Sequence, residues 1–171
     1  MPVSGELYKQ LGRAAAGAVC IVAAYDRTTD AIVGLTMSSF VTLSFDPPMV
    51  MFALQQNADS YASVVSSRAF GVSLLACTQS EVASLFALKG RDKYERTSFA
   101  QGHSLHVPLI PESLAQIECL TVQILLSGDH AVVIGVVEAA QTQAGEPLLY
   151  YAGQYGTFRP LQADEGAPAD R

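Results

Sequence analysis

The feature that most constrains the fold is a pair of apolar segments separated by a three-residue turn. Within residues 118–126, every second side chain is a large aliphatic one, as expected for a β-strand: Leu120, Val122, Ile124 and Leu126. Ser127-Gly128-Asp129 has the composition of a turn, and residues 131–137 are again apolar and β-branched. The spacing therefore predicts an antiparallel hairpin.

Other apolar, β-branched segments predict further strands at residues 18–25, 32–44, 49–55, 69–75 and 149–155. Short helices are predicted at 4–13, from 57 or 59 to 67, and from about 78 to 90. The last begins with Thr78-Gln79-Ser80-Glu81, which has the spacing of a capping box. Residues 91–113 predict a long loop with one helical turn. Because the strands do not alternate with helices, this order predicts a mainly β, antiparallel barrel with a few short peripheral helices.

Length and composition limit the class of protein. The 171 residues are enough for one domain, and 50% of them are hydrophobic. We assign residues 1–160 to that domain and 161–171 to a flexible C-terminal tail. The net charge is −6 and no Lys/Arg cluster occurs, which argues against nucleic acid. No apolar run approaches the roughly 20 residues of a membrane-spanning helix, so no membrane association is expected.

The cysteines and the N-terminal region bear on localisation. Cys20, Cys77 and Cys119 each lie in an apolar run, which predicts buried free thiols and a reducing, cytoplasmic setting. The Ala-rich run that follows Lys9 and Arg13 superficially resembles a secretory signal. Its cleavage would remove the first predicted strand, so a cytoplasmic protein is the preferred interpretation.

Small hydroxyl residues interrupt the apolar pattern of residues 34–48. Thr36, Ser38 and Ser39 stand in this segment, which ends with Asp46-Pro47-Pro48. Each hydroxyl needs a hydrogen-bond partner if it is buried. A bound polar ligand would supply those partners, but a partly exposed strand would not need them. The residues alone leave both interpretations open.

This segment, with several others in order, resembles the short-chain flavin reductases of the FMN-binding split-barrel fold. The matching pieces are Gly34 to Phe40, Ser44 to Pro48, Phe70 to Leu75, Leu85 to Ala87, Gly128-Asp129-His130 and Pro147 to Tyr151. The resemblance implies a Greek-key split β-barrel that uses NADH or NADPH to reduce FAD or FMN. It also implies a homodimer, and a partner flavin-dependent monooxygenase or halogenase that receives the reduced flavin. We give slight preference to FAD and to NADH.

The resemblance also implies site residues. His130 would position the nicotinamide, although a turn histidine without a role is the alternative. Lys89 to Lys93 would supply positive charge near the phosphates, although it also has the composition of a solvated helix end. The cofactor-binding residues that we predict are Thr36, Met37, Ser38, Ser39, Phe40, Ser44, Asp46, Pro47, Asn57, Ser60, Phe86, Arg91, Lys93, Tyr151 and Tyr155.

Other classes of function are less well matched by the residues. His103 and His106 have helical spacing but no third ligand, so no metal site is predicted. Gly-x-Gly-x-x-Gly is absent, which argues against a Rossmann nucleotide site. A pyridoxine-phosphate-oxidase-like enzyme would need a denser basic site. A non-catalytic flavin- or haem-binding module remains an alternative.

Overall fold

The computed structural model describes residues 3–90 and 92–161, which form twelve β-strands and four α-helices. The strands are β1 (Gly17–Ala18), β2 (Cys20–Tyr25), β3 (Ile32–Met37), β4 (Val41–Phe45), β5 (Pro48–Gln55), β6 (Ala69–Leu74), β7 (Ala100–Gln101), β8 (Pro108–Leu109), β9 (Ala115–Ser127), β10 (His130–Thr142), β11 (Leu149–Tyr151) and β12 (Gln154–Gly156). The helices are α1 (Gly5–Ala14), α2 (Tyr61–Ser66), α3 (Ser80–Ala87) and α4 (Asp92–Glu95).

Seven strands form a central antiparallel sheet in the order β3-β2-β6-β9-β10-β5-β4. Its two edge strands, β3 and β4, are separated by residues 38–40 alone, so the sheet must curl until these edges approach each other. The result is a barrel that is split between β3 and β4. This confirms the predicted mainly β fold with a few peripheral helices. A smaller sheet has the order β1-β11-β12, and β7 pairs with β8.

The core lies on both faces of β2, which explains why this strand is a continuous apolar run. Cys20, Val22 and Ala24 point into the barrel, where the rings of Phe52 and Phe70 meet edge to face with centroids 5.2 Å apart. On the other face, Val19, Ile21 and Ala23 pack with residues of α3. Because β3 lies beside β2, the same packing holds α3 close to β3.

Burial confirms two of the three predicted buried thiols. Cys20 and Cys119 are buried, and burial raises the pKa of each to about 12. Cys77 is also free but only half-buried, so the prediction was wrong for this residue. It lies in the 3₁₀ turn that precedes α3 rather than in a strand.

The predicted hairpin is confirmed, with strands longer than expected. β9 and β10 have thirteen residues each and are joined at Gly128, whose φ is +59°. The alternation of burial expected in β9 is absent, because Ala115 to Cys119 are buried on both faces. The long loop covers the outer face there: Gln116 Nε2 donates to the Ile110 carbonyl at 2.6 Å, and the Glu118 carboxylate accepts from the Leu105 N–H at 2.6 Å.

Two predicted strands are each two strands in the structure. Residues 32–44 divide into β3 and β4 because Ser38, Ser39 and Phe40 form a bend. Residues 149–155 contain the hairpin β11–β12, in which Ala152 and Gly153 have φ values of +52° and +88°. A tight turn of this kind requires such left-handed residues.

The helices are confirmed, with different boundaries. Ser4 caps α1, because its Oγ accepts from the Leu7 N–H at 3.2 Å. The N-cap of α2 is Ser60, rather than Asn57 or Asp59. The capping box at Thr78 was wrong: residues 77–79 form a 3₁₀ turn, in which Gln79 Oε1 accepts from the Ala76 N–H at 3.0 Å. α4 is the single helical turn predicted within the long loop, and the predicted tail lies outside the described residues except for Leu161.

Candidate functional site

A cleft with two lobes lies where the ends of β3 and β5 face α3. The larger lobe, about 320 Å³, is bounded by β3, β5, the chain around α2, and the hairpin end at His130. The smaller lobe, about 200 Å³, is bounded by β3, α3 and the β11–β12 hairpin. Thr36, Met37 and Ala87 line both lobes, so the two spaces meet over one shared wall.

The bend after β3 forms the split in the barrel and one side of the cleft. The N–H of Ala53 donates to Ser39 Oγ at 3.0 Å, and Ser39 Oγ donates back to the Ala53 carbonyl at 3.0 Å. β4 pairs with β5 only as far as Met51, so this serine takes the place of a missing strand partner. Phe40, half-buried, packs on the barrel core. Ser39 thus has protein partners without a ligand.

Of the other two hydroxyls in this segment, one has a partner within the protein and one is exposed. Thr36 Oγ1 donates to the Ala83 carbonyl at 2.7 Å, which ties β3 to α3 at the shared wall. Ser38 is exposed and lines the smaller lobe. Burial therefore does not force these hydroxyls to find a ligand, since two of the three already have partners within the chain. Met37, nearly buried, contributes its side chain to both lobes.

Polar residues from four segments line the larger lobe. Asn57, Ser60 and Lys93, which we predict to bind a phosphate, line it, together with the buried aromatic ring of Phe86. α2 has only six residues, and the Ser60 side chain makes no capping hydrogen bond. Arg91, also predicted here, lies outside the described residues. Lys89, Asp59 and Gln55 also line this lobe, and sequence reasoning missed Asp59 and Gln55.

Lys93 is the most constrained of these residues because its side chain is 5% exposed. Its Nζ donates to the carbonyls of Leu88 at 2.8 Å and Phe86 at 3.5 Å, and it lies 5.5 Å from the ring centroid of Tyr94. Burial lowers the pKa of Lys93, and the nearby carboxylates of Asp59 and Asp92 partly oppose this shift. Two of its three N–H donors therefore already have partners within the protein.

His130 begins β10 at the open edge of the larger lobe. Its Nδ1 lies 2.7 Å from Asp129 Oδ1, and this hydrogen bond lowers the pKa of the Asp129 carboxyl. Gln56 Nε2 donates to the carbonyls of Gly128 at 3.2 Å and His130 at 3.1 Å, which fixes the backbone of the turn. Nε2 is the ring nitrogen left for a ligand. The contribution of Gln56 had no sequence signal, because it depends on the pairing of β5 with β10.

The smaller lobe has a tyrosine pair at its outer side. Tyr150 and Tyr155 line it, with ring centroids 5.6 Å apart. Burial raises the pKa of Tyr155, and a hydrogen bond with Ser84 opposes the shift. Tyr151, the predicted residue, is 56% exposed and does not line the lobe, because adjacent residues of β11 point to opposite faces. Sequence reasoning missed Tyr150 because the register of β11 was not known.

Three predicted residues lie far from the cleft of their own chain. Ser44 lies near the end of β4, and Asp46 and Pro47 form the β4–β5 turn, where Phe45 pairs with Pro48. Gln55, at the other end of β5, lines the cleft. Seven residues of extended strand span about 23 Å. The structure therefore does not bring these three residues to the same site as His130.

Other features of the described chain do not compete with this cleft. A cavity of about 450 Å³ beside α3 has Glu81, Arg96 and Glu112 among its lining residues, and none of the residues of the shared wall of the cleft lines it. Among residues 3–90 and 92–161, no three His, Cys, Asp or Glu side chains are grouped as metal ligands. Within the same residues, no helix is long and apolar enough to cross a membrane.

Comparison with known proteins gives a consistent result. Residues 11–159 match the family model of the flavin reductase like domain. The reductase component of a 4-nitrophenol 4-monooxygenase/4-nitrocatechol 2-monooxygenase from Rhodococcus opacus is 34% identical over 157 residues, covering 92% of this chain and 82% of that protein. An NADH-dependent flavin reductase from a Rhodococcus species is 30% identical over 159 residues, covering 93% and 89% of the two chains.

A solved structure shares the fold over nearly the whole chain. The NADH:FAD oxidoreductase of Streptomyces globisporus, in complex with NAD and FAD fragments, superposes with a TM-score of 0.84 at 26% identity. The superposition covers 95% of this chain and 99% of that one. Two adjoining lobes that share small residues, Thr36 and Ala87, in one wall have room for two flat rings in contact with each other.

Proposed function

The chain belongs to the flavin reductase-like domain family, and we propose that it transfers hydride from NADH to free FAD or FMN. The observation that carries this proposal is the wall shared by the two lobes. Hydride transfer requires the donor and acceptor rings to be close and parallel. Thr36 and Ala87 are small, so they leave room for a flat ring at the point where the lobes meet.

The residues fit a flavin and a nicotinamide in the following way. The backbone from Thr36 to Ser38 would hold the flavin ring, and Asn57, Ser60 and the lysines of the larger lobe would bind its phosphate. His130 at one end of the cleft and Tyr155 at the other would hold the nicotinamide. When bound, the reduced nicotinamide supplies the hydride and the flavin accepts it.

The protein contributes position and exclusion of water rather than acid–base chemistry. Asp129 and Gln56 hold the imidazole and backbone of His130 in place, so that Nε2 can donate to or accept from the nicotinamide amide. Met37 and Phe86 would provide apolar surface to the rings. Direct hydride transfer needs no proton donor, so no carboxylate pair or catalytic triad is required.

The reduced flavin is the product that leaves. We propose that it reaches a flavin-dependent monooxygenase or halogenase, as the names of related reductase components suggest. Free diffusion of reduced flavin suffices, so a stable complex with the oxygenase is not required. The free thiols of Cys20 and Cys119 support a reducing, cytoplasmic setting for this exchange.

A homodimer is supported by the outward side of the sheet. β5 and β10 bury one face in the barrel, but their other face is also apolar and only partly covered. The outer apolar face consists of Val41, Met49, Met51, Ala53, Leu125, Val132, Ile134 and Val136, which occupy neighbouring rows of the sheet. A strand facing water would alternate with polar residues, so we propose that a second copy covers this face.

A homodimer would also explain the predicted binding residues Ser44, Asp46 and Pro47, which lie far from the cleft of their own chain. β4 forms the edge of the outer apolar face, and Phe45 at its end is 97% exposed. The end of β4 with Ser44, and the β4–β5 turn with Asp46 and Pro47, are thereby presented to the second copy. We propose that these residues contribute to the cleft of the second copy rather than to their own.

The test is oxidation of NADH and NADPH followed at 340 nm, with riboflavin, FMN and FAD supplied in turn and in excess. We expect steady, multiple-turnover oxidation of NADH with FAD or FMN, and slower oxidation of NADPH. A preparation that binds flavin but oxidises neither nucleotide would instead be a non-catalytic flavin-binding module. Thr36→Leu, which fills the shared wall, should lower the rate, whereas Thr121→Leu on β9 lies outside the cleft and serves as the control.

A further inference from the structure

One residue of the edge strand β3 is hydrogen bonded to a side chain in place of a neighbouring strand. The N–H of Gly34 donates to the hydroxyl oxygen of Tyr94 at 3.0 Å, and the same hydroxyl donates to the Gly34 carbonyl at 3.1 Å. Tyr94 lies in α4, 60 residues further along the chain. A tyrosine hydroxyl has one hydrogen to donate, and the Gly34 carbonyl receives it. Tyr94 therefore acts at this residue as a strand partner would.

The Tyr94 contact shows in which direction the backbone of β3 faces. β3 pairs with β2 on one side only, and Gly34 lies opposite Ala23 in that pairing. Because the N–H and carbonyl of Gly34 reach Tyr94, they point away from β2. These directions alternate from residue to residue along an antiparallel strand. The N–H and carbonyl of Thr36, two residues further, therefore point to the same open side of β3.

Thr36 is the residue at which this open side meets the cleft. It lines both lobes, and its side chain is already bonded to the Ala83 carbonyl of α3. Its backbone therefore presents one donor and one acceptor to a ligand, roughly 7 Å along the strand from the pair that Tyr94 occupies. Tyr94 is not among the described residues that line either lobe. Any effect of Tyr94 on a ligand must therefore pass through the walls of the cleft.

α4 also contacts the α3 side of the cleft. The ring of Tyr94 meets that of Phe86, in α3, edge to face with centroids 5.7 Å apart. The adjacent Lys93 donates to the carbonyl of Leu88, directly after α3, at 2.8 Å. One turn of helix is thus bonded to β3 through Tyr94 and to the end of α3 through Lys93. The distance between β3 and α3 therefore depends on α4.

We propose that Tyr94 is a positioning residue for hydride transfer, because its hydroxyl fixes the edge of β3 and with it the Thr36 backbone that would hold the flavin ring. This inference rests on the reductase activity proposed above. Without the hydroxyl, the N–H and carbonyl of Gly34 lose their partner at a buried position, and the edge of β3 is no longer held to α4. The rate of hydride transfer depends on the distance between the two rings, and a misplacement of about 1 Å can cost a hundredfold.

The test compares Tyr94→Phe with a control variant that loses a hydroxyl elsewhere. Tyr94→Phe removes the hydroxyl alone and keeps the ring against Phe86, so the protein should fold. Ser73→Ala is the control: Ser73, in β6, is buried, and its hydroxyl accepts from the Ile110 N–H at 2.9 Å. Ser73 is also not among the described residues that line the two lobes. Both variants lose a bond between a side chain and the backbone, so urea unfolding should show both to be less stable than the wild type.

The first measurement is amide hydrogen exchange by NMR, which reports on the contact without any turnover. In the flavin-free wild type and in Ser73→Ala, the Gly34 N–H should be protected and the Thr36 N–H should exchange quickly. Tyr94→Phe should speed exchange of the Gly34 N–H by about tenfold or more. Addition of FMN to the wild type should protect the Thr36 N–H. Exchange of Gly34 as fast as that of Thr36 in the flavin-free wild type would overturn the proposal.

The second measurement concerns binding and rate. Quenching of FMN fluorescence should give a dissociation constant about five- to tenfold higher for Tyr94→Phe than for the wild type. The kcat of NADH oxidation should fall by about tenfold. The isotope effect on kcat with NADH deuterated at C4 should rise, because hydride transfer becomes slower relative to the other steps. Ser73→Ala should keep the wild-type values of all three once corrected for the folded fraction.

The outcomes separate this inference from the proposed function. A wild type that oxidises neither NADH nor NADPH would refute the reductase activity and, with it, the role of Tyr94 in hydride transfer. A wild type that oxidises NADH, with the same kcat, isotope effect and dissociation constant for FMN in Tyr94→Phe and Ser73→Ala, would refute the role of Tyr94 alone. The contact with Gly34 would then only stabilise the fold.

Discussion

Ser39 and Ser38 are neighbours with opposite expected roles, and replacing each by alanine separates them. Ser39 Oγ bonds both the N–H and the carbonyl of Ala53, each at 3.0 Å. Ser39→Ala removes both hydrogen bonds at a half-buried position. Each contributes about 0.5–1.5 kcal/mol, so the free energy of unfolding should fall by about 1–3 kcal/mol. For a domain of this size, that corresponds to a fall in Tm of roughly 4–8 °C at 2 kcal/mol.

Ser38→Ala is the matched control for stability. Ser38 is exposed, so its replacement should change the free energy of unfolding by less than about 0.5 kcal/mol. Because Ser38 lines the smaller lobe, the control should instead change the KM for NADH or flavin. Urea unfolding at one protein concentration, with both KM values, measures both effects. Equal stability of the two variants would refute the role of Ser39 in holding the bend after β3 against β5.

Three further predictions concern the cleft, the long loop and acid stability. His130→Ala should lower kcat/KM for NADH by up to about 100-fold through misplacement of the nicotinamide. His106→Ala, in the long loop, should leave kcat/KM unchanged. Equal decreases in kcat/KM for the two variants would contradict the role of His130. Glu118→Gln weakens three contacts to the N–H groups of Ser104 and Leu105. It should lower the free energy of unfolding in urea by about 2–4 kcal/mol, whereas the exposed Glu138→Gln should change it little. A small decrease for Glu118→Gln would be inconsistent with Glu118 anchoring the loop. Hydrogen bonds from Ser63 and then from Thr29 and Thr28 lower the pKa of Asp26 from 3.8 to about 2. The stabilisation that they give is therefore complete above pH 4 and is lost as the pH falls toward 2. The acid-unfolding curve of Asp26→Asn should lack this loss of stability, and a curve identical to that of the wild type would contradict the role of Asp26.

The sequence predicted the strands and the barrel because these depend on local pattern. The hairpin of β9 and β10 followed from alternation and from Gly128, and the class of fold from the order of strands and helices. The predicted ends of strands were wrong where a contact between residues distant in the sequence determines them. The break between β3 and β4 depends on Ser39 reaching Ala53, fourteen residues away, which no local pattern indicates.

The candidate site could be predicted in part for the same reason. Thr36, Met37, Ser60 and His130 belong to segments with recognisable composition, and all four line the cleft. Tyr150 and Tyr151 could not be distinguished, because a shift of one residue in register exchanges the faces of a strand.

The position of Ala87, which lines both lobes of the cleft, depends on hydrogen bonds made elsewhere. Lys93 Nζ donates to the carbonyls of Phe86 and Leu88, the residues directly before and after Ala87, and so fixes the backbone on both sides of it. Thr36 adds a third restraint through the Ala83 carbonyl. An ammonium has three donors, so Lys93 can give at most one to a flavin phosphate while it holds the end of α3. The buried lysine therefore acts first on the shape of the shared wall, and the phosphate must take most of its hydrogen bonds from the other residues of the larger lobe.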